Sequence, residues 1–436
     1  METFFKILAL ILLIIHGGFQ LNAQTYDLDD CIKIALIQNP TMKDAAIAAE
    51  RASAERSGAV SNFLPSLQVS LFQSGNFGRS IDRFTNSYIN EFYNSTYAGG
   101  NFELPLFNAF SNRYALQSSD KSVASAELLN KGARNQLALQ VTSAYLEVLA
   151  GKEMINAVRS LIQGDSTRLN DINAKLDAGL ATRTEQLTII NQLKTDELSL
   201  LDAQMSFDGS VIRLFRLLNQ EVPVNPIFED VNFSIDNFEA SGLQQKLLQL
   251  PEVRRFDLQA ESQQFSAKSI MAQKYPRIRL LADYGSFYAS SNPERNFGQQ
   301  LNDTRNGSIS IGVSWSILSF YRIKSNTRIA LANAESTLNE KEKYINNLKT
   351  DIDVAMSRYQ ALTKKYDQAS QLEELSQEAV DNINLQLNSG TIGMSDFLLA
   401  RNNLERARTN KIRAKYELLL QQKVLQYYGG SQDKLR

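Results

Sequence analysis

Side chains able to do chemistry are scarce in this chain of 436 residues, and their placement limits the chemistry open to it. The one histidine, His16, falls in the leading apolar segment, and the one cysteine is Cys31. Histidine-based triads, histidine-containing zinc sites, thiolate clusters and intrachain disulfides are therefore out of reach. Carboxylates remain, and an acid pair is enough for glycoside hydrolysis. The acids here run through helical sequence without a pocket-forming pattern, so neither a catalytic residue nor a cofactor or metal site is expected. Two carboxylates stand out by position. Asp396 follows Gly390, and Glu185 follows Gly179, by six residues each. A carboxylate there can accept from the amides of a restarting helix.

The elements that would hold these acids are two helical turns. The stretch Asn388-Ser389-Gly390-Thr391-Ile392-Gly393-Met394-Ser395-Asp396 interrupts two strongly helical flanks with small residues, as the tip of a long hairpin would. Gly390 can take positive φ without a Cβ clash. Asp177-Ala178-Gly179-Leu180-Ala181-Thr182-Arg183-Thr184-Glu185 looks the same and lies 211 residues earlier. Pro40 and Pro251, Pro65 and Pro276, Leu104 and Trp315, and Leu193 and Leu404 share that offset. The period is too long for a solenoid, so the chain reads as two copies of one half, over about 25–218 and 243–428.

Residues 1–23 read as a secretory signal peptide. Lys6, the apolar run Ile7 to Ile15, the Gly17-Gly18 break and a Leu21-Asn22-Ala23 site suit cleavage before Gln24. Nothing later approaches 18 consecutive apolar residues, which leaves an exported protein that is soluble or crosses a membrane as β-structure. A formal charge of −1 gives no polyelectrolyte signature, so nucleic acid is not an expected partner. Cys31 follows Asp29-Asp30 and reads as a buried helix residue, not as a lipid-attachment site.

Leu28 to about Asn62 is expected to be helical, with Pro40 opening a second segment. Past Pro65 the period changes to two, giving strands at about 66–74, 96–106, 277–288 and 308–318, with loops from Gly75 to Gly100 and from Ser290 to Gly307. Leu67, Val69 and Leu71 alternate with Ser66, Gln68 and Ser70. Ile309, Ile311, Val313, Trp315 and Ile317 alternate with Ser308, Ser310, Gly312, Ser314 and Ser316. Strands of this kind fit hydrocarbon on one face and water on the other; a one-sided soluble sheet is the competing reading. Four strands cannot close a membrane barrel, so such a barrel would be shared between chains.

Asn108 to Asp177 and Tyr321 to Asn388 would each reach roughly 100 Å as helix, and Thr182 to Leu218 and Met394 to Leu425 about half as far. Leu331, Leu338, Ile345, Ile352, Tyr359 and Tyr366 fall seven apart, with Ala334, Leu348, Ala355, Leu362 and Ala369 as companions and Lys341 as an interruption. That is a coiled-coil pattern. Residues 219–242, with Pro223 and Pro226, break the helical pattern and with 429–436 suggest a small mixed collar.

With these features in order, the chain resembles the TolC-like outer-membrane efflux protein family. The carriers are Leu28 to Asn39-Pro40, the Pro65 and Pro276 strand entries, Pro105-Leu106-Phe107, Trp315-Ser316-Ile317-Leu318 and the two tips, duplicated at one offset. The resemblance implies a mainly α protein with β, a homotrimer with a 12-stranded outer-membrane β-barrel continued by an α-helical barrel into the periplasm. It implies docking by the tips (Gly179, Leu180, Ala181, Thr182; Ser389, Gly390, Thr391, Ile392, Gly393) to a periplasmic adaptor protein, which links them to an inner-membrane transporter. Conduction would be passive, in efflux or type I secretion, and Asp396 and Glu185 would line the periplasmic entrance or simply cap helices. Where some relatives carry a basic residue two positions after the tip glycine, this chain has Ala181 and Ile392. An exported coiled-coil spacer and a carboxylate-only hydrolase remain as other classes.

Overall fold

The computed structural model describes residues 25–82, 86–235, 238, 242–243 and 246–429. The expected signal peptide at 1–23 and the tail at 430–436 lie outside them. The chain divides into two compact units. One takes the residues up to Lys43, Ala133–Leu247 and those from Leu348 on; the other takes Asp44–Gly132 and Leu248–Asn347.

In the first unit, β1 (Thr25–Tyr26) leads into α1 (Leu28–Gln38). Asp27 caps α1 by accepting from the Asp30 amide, and Cys31 is fully buried in it, as expected of a helix residue. Asn39 ends α1 and donates to the Leu217 carbonyl at 2.8 Å, while Pro40 opens α2 (Pro40–Ser61). This proline does begin a helix, where its missing N–H costs nothing. The long α3 (Ser111–Asp177) ends in this unit, and α4 (Arg183–Leu218) returns from it.

The expected collar segment contributes a short strand. Residues 227–228 form β6, which pairs in parallel with β1, Thr25 opposite Ile227 and Tyr26 opposite Phe228. The buried Tyr145 hydroxyl sits 2.9 Å from the Tyr26 carbonyl and 2.7 Å from that of Glu229, fixing both strands to α3. Lys246, just past the interrupting segment, donates to the Gly429 carbonyl at 2.9 Å.

The second unit holds a four-stranded antiparallel sheet in the order β2 (Ser66–Asn76), β5 (Tyr93–Phe107), β7 (Arg277–Ala289) and β8 (Asn306–Ser314). Register settles the faces, since residues paired across antiparallel strands share a side. Leu67 opposes Phe102, and Leu280 opposes both Leu104 and Ile311. Ser66 opposes Glu103, Glu103 opposes Leu281, and Arg277 opposes Ser314.

Three expectations need correction here. The first loop is not irregular throughout: β3 (Arg79–Ile81) and β4 (Tyr88–Asn90) form a hairpin inside it, and β5 begins at Tyr93 because it pairs with β2 up to Asn76. The second loop contains a short helix at Phe297–Asp303. Its buried Gln300 side chain accepts from the Ala289 amide and donates to the Arg295 carbonyl. The last strand stops at Ser314, short of 318. Its final pair is with Arg277, and Pro276 before that offers no N–H, so Trp315 turns away to donate to the Lys274 carbonyl at 3.0 Å and a 3-10 turn follows.

The helix just mentioned is numbered α6, after α5 (Pro251–Ala272); α7 (Phe320–Asn388) and α8 (Met394–Tyr428) complete the chain. Ile352, Tyr359, Ala334, Leu348, Ala355 and Ala369 of the heptad are buried, whereas Leu331 and Leu338 are exposed. The interruption at Lys341 has a cause: its ammonium sits 2.6 and 2.8 Å from the two carboxylate oxygens of Asp257 on α5. A seam between α3 and α5 leaves no mark in the sequence pattern. Ser111, Ser118 and Ser125 donate to the carbonyls of Ser269, Ser262 and Arg255, seven residues per step on each helix. One step further on is Gly132, where a Cβ would come 2.7 Å from Glu252 Cγ.

Candidate functional site

The two tips in the first unit are built alike. Each incoming helix ends in a paired-bond turn, in which Gly179 and Gly390 both take φ +73°. The amides of Gly179 and Leu180 reach the carbonyls of Leu176 and Lys175, and those of Gly390 and Thr391 reach Leu387 and Gln386. This is the glycine-dependent helix stop that the sequence placed at both positions. Among the expected docking residues, Gly179, Leu180, Thr182, Ser389, Gly390, Thr391 and Gly393 are exposed, and Ala181 and Ile392 are half-buried. Leu180 is 80% exposed, leaving an apolar side chain at the first apex.

The two acids differ in grip. Glu185 takes part in a full capping box: its carboxylate accepts from the Thr182 amide at 2.7 Å, and the Thr182 hydroxyl accepts from the Glu185 amide. That amide bond holds the Glu185 carboxyl below its ordinary pKa. Asp396 has a looser hold, accepting from the Gly393 amide at 3.4 Å, since glycine has no side chain to complete the box. Its exposed carboxylate also lines a groove of about 360 Å³ between α7 and α8, with Leu375, Ile383 and Leu399. Both acids therefore cap restarting helices, and capping leaves Asp396 open to solvent.

Below the apices, Ile172, Ile189, Met394 and Phe397 form a buried cluster that joins the two hairpins. The Arg168 guanidinium lies 4.3 Å from the centre of the Phe397 ring and bonds the Asn384 side chain. Gln186 donates to Asn173 at 2.6 Å.

Sequence reasoning missed the charged group deeper in the same unit. Arg401 of α8, 3% exposed, pairs with Asp196 of α4 and, at 2.9 Å, with Asp165 of α3, both also buried. Glu405, one turn on and half-buried, is 3.5 Å from the same guanidinium, and Gln192 donates to Asp196 at 2.9 Å. Burial, then a shared hydrogen bond with Asp196, pushes the Asp165 carboxyl up to about 7, against the pull of Arg401. A signal existed. Arg401 falls between Phe397 and Leu404 on the buried stripe of α8, and Asp165 and Asp196 stand seven residues from Ile172 and Ile189 on theirs. Charges on an apolar stripe have to find one another.

Among the described residues no group of three or more histidine, cysteine or acidic side chains is placed to hold a metal ion, and no helix is long and apolar enough to cross a membrane. Two helical hairpins with capped small-residue tips and a four-stranded antiparallel sheet are the elements of the outer-membrane efflux class. The sequence profile of the outer membrane efflux protein family matches residues 31–220 and 242–431, one match per repeat, and the chain belongs to that family. A search of curated protein sequences returns no match. Solved structures share the fold. The outer membrane protein VceC of Vibrio cholerae aligns with TM-score 0.77 at 16% identity, covering 92% of this chain and 96% of VceC. The CmeC outer membrane channel of Campylobacter jejuni aligns at 0.77 and 17% identity, covering 92% and 85%. The open-state MtrE outer membrane channel of Neisseria gonorrhoeae aligns at 0.71 and 19%, covering 93% and 88%.

Proposed function

We propose that three copies of this chain form a passive export conduit, a shared 12-stranded barrel in the outer membrane continued by a helical tunnel in the periplasm. One observation carries the reading: among the described residues, the sheet β2-β5-β7-β8 has two edge strands with no further partner and an uncovered apolar face, on which Val69 is 79% and Ile309 80% exposed. In water such a face and such edges invite aggregation; in lipid the face is satisfied at once and the edges are satisfied by joining further strands. Four strands fall short of the roughly eight that the smallest membrane barrels need. Burial of Cys31 in α1 leaves no accessible thiol for a lipid anchor.

The exposed tips from Gly179 to Thr182 and from Ser389 to Gly393 are the surface offered to a periplasmic adaptor, which couples the conduit to an energised inner-membrane transporter. Small residues there allow re-packing at little steric cost. Three copies of Asp396 at the entrance favour cations over anions, with Glu185 contributing less because Thr182 already engages it. Efflux of small molecules and type I secretion use the same conduit, and the partner decides between them. The heptads of α7 support a second reading, an exported coiled-coil spacer, but that reading gives the apolar sheet face no occupant. Particle mass in detergent separates the two. A trimer that needs detergent supports the conduit; a monomer soluble without it rejects the conduit in favour of the spacer.

A further inference from the structure

The polar face of the sheet carries its charge unevenly. At the end where the strands meet the helices, a cavity of about 450 Å³ is lined by Arg277, Arg279, Glu103, Ser66, Ser314 and Asn112, among others. Register puts the two arginines, the glutamate and both serines on one side of the sheet. Arg279 spends its Nη1 on Glu103 at 2.9 Å, and its Nε–H is buried without a hydrogen-bond partner. Arg277 is exposed and has no ion-pair partner among the described residues. The nearest acid further along that face, Asp283, is occupied by the Ser308 hydroxyl at 2.7 Å. Asn112, in the first turn of α3, brings the positive end of a 67-residue helix to the same cavity.

An uncommitted guanidinium, a buried N–H awaiting an acceptor, hydroxyl donors and a helix N-terminus make an anion site, because each offers hydrogen to oxygen and the net charge is positive. We infer that the cavity at the base of the sheet, centred on Arg277, is a transit site for solutes bearing carboxylate or phosphate oxygens. This rests on the conduit reading, which puts the polar face on the water-filled side and repeats Arg277 three times around one ring. Such a ring raises local anion concentration and sets selectivity without holding the anion tightly.

The test is the reversal potential of the reconstituted full-length trimer under a KCl gradient, followed by titration of the current with inorganic phosphate. Arg277→Gln is expected to lower the chloride-to-potassium permeability ratio about twofold or more, and Arg277→Glu to lower it further. The phosphate concentration for half-block rises several-fold in Arg277→Gln, and Arg277→Lys, which keeps the charge, restores most of the block. Channels that conduct but show the same ratio and the same block in wild type and Arg277→Glu overturn the site while the conduit stands. A wild-type trimer that never conducts overturns the conduit and the site with it.

Discussion

The two hairpins of the first unit share a backbone and differ in charge. Gly179 and Gly390 have the same φ and close the same paired turn, and Thr182 and Gly393 open the following helices at equivalent places. Their side chains have diverged. The first outgoing helix starts from a reciprocal Thr182–Glu185 box, the second from a single long bond to Asp396, while Ser389 and Thr391 each donate to the Gln386 carbonyl at 2.9 Å to hold the second turn. Eleven residues past each tip glycine, the first hairpin has Ile190 where the second has Arg401; at the Asp196 position the second has Ala407. Duplication thus preserved what shapes the turn and changed which side chains hold it. The opposite charges ended on different copies, so the cluster ties one hairpin to the other.

The comparison breaks most severely at the cluster. Arg401→Met strands two buried carboxylates and is expected to cost about 3–5 kcal/mol in the first unit, read as lost amide protection in α4 and α8. If protection holds, the charges are not what joins the hairpins. Acid should act in the other direction. Asp165, faced by Arg401, Asp196, Glu405 and Arg168, has a folded pKa raised from 3.8 to about 7. The folded state then binds more protons than the unfolded one between those values. Stability from this group is present below pH 4 and lost as pH rises through about 7. Asp165→Asn should flatten that slope in unfolding measured at pH 5 and pH 8; an unchanged slope assigns it elsewhere.

Smaller effects sharpen the contrast between the tips. Thr182→Ala removes a hydroxyl cap and should cost about 1 kcal/mol, visible as faster exchange at the start of α4. Asp396→Ala should cost less than about 0.5 kcal/mol in α8. Equal losses would show that the two caps grip alike after all. In the conduit, Asp396→Ala should shift cation selectivity more than Glu185→Ala does.

Much of this was legible because it rests on local rules. Period-two alternation located all four main strands, and two glycines at one offset located both tips. What escaped depends on partners far along the chain. The end of β8 at Ser314 is set by where β7 begins, and Tyr93 joins β5 because Asn76 is there to pair with it. Ser111, Ser118 and Ser125 look like surface residues until α5 supplies carbonyls, and Lys341 looks like a defect until Asp257 faces it. The cluster at Arg401 needed three helices brought together before its charges made sense.

Single-channel recording of the purified trimer in a planar bilayer tests passive conduction directly. Discrete conductance steps without any added energy source are the expected result. A trimer that inserts stably into lipid yet passes no current under any applied voltage would contradict the account.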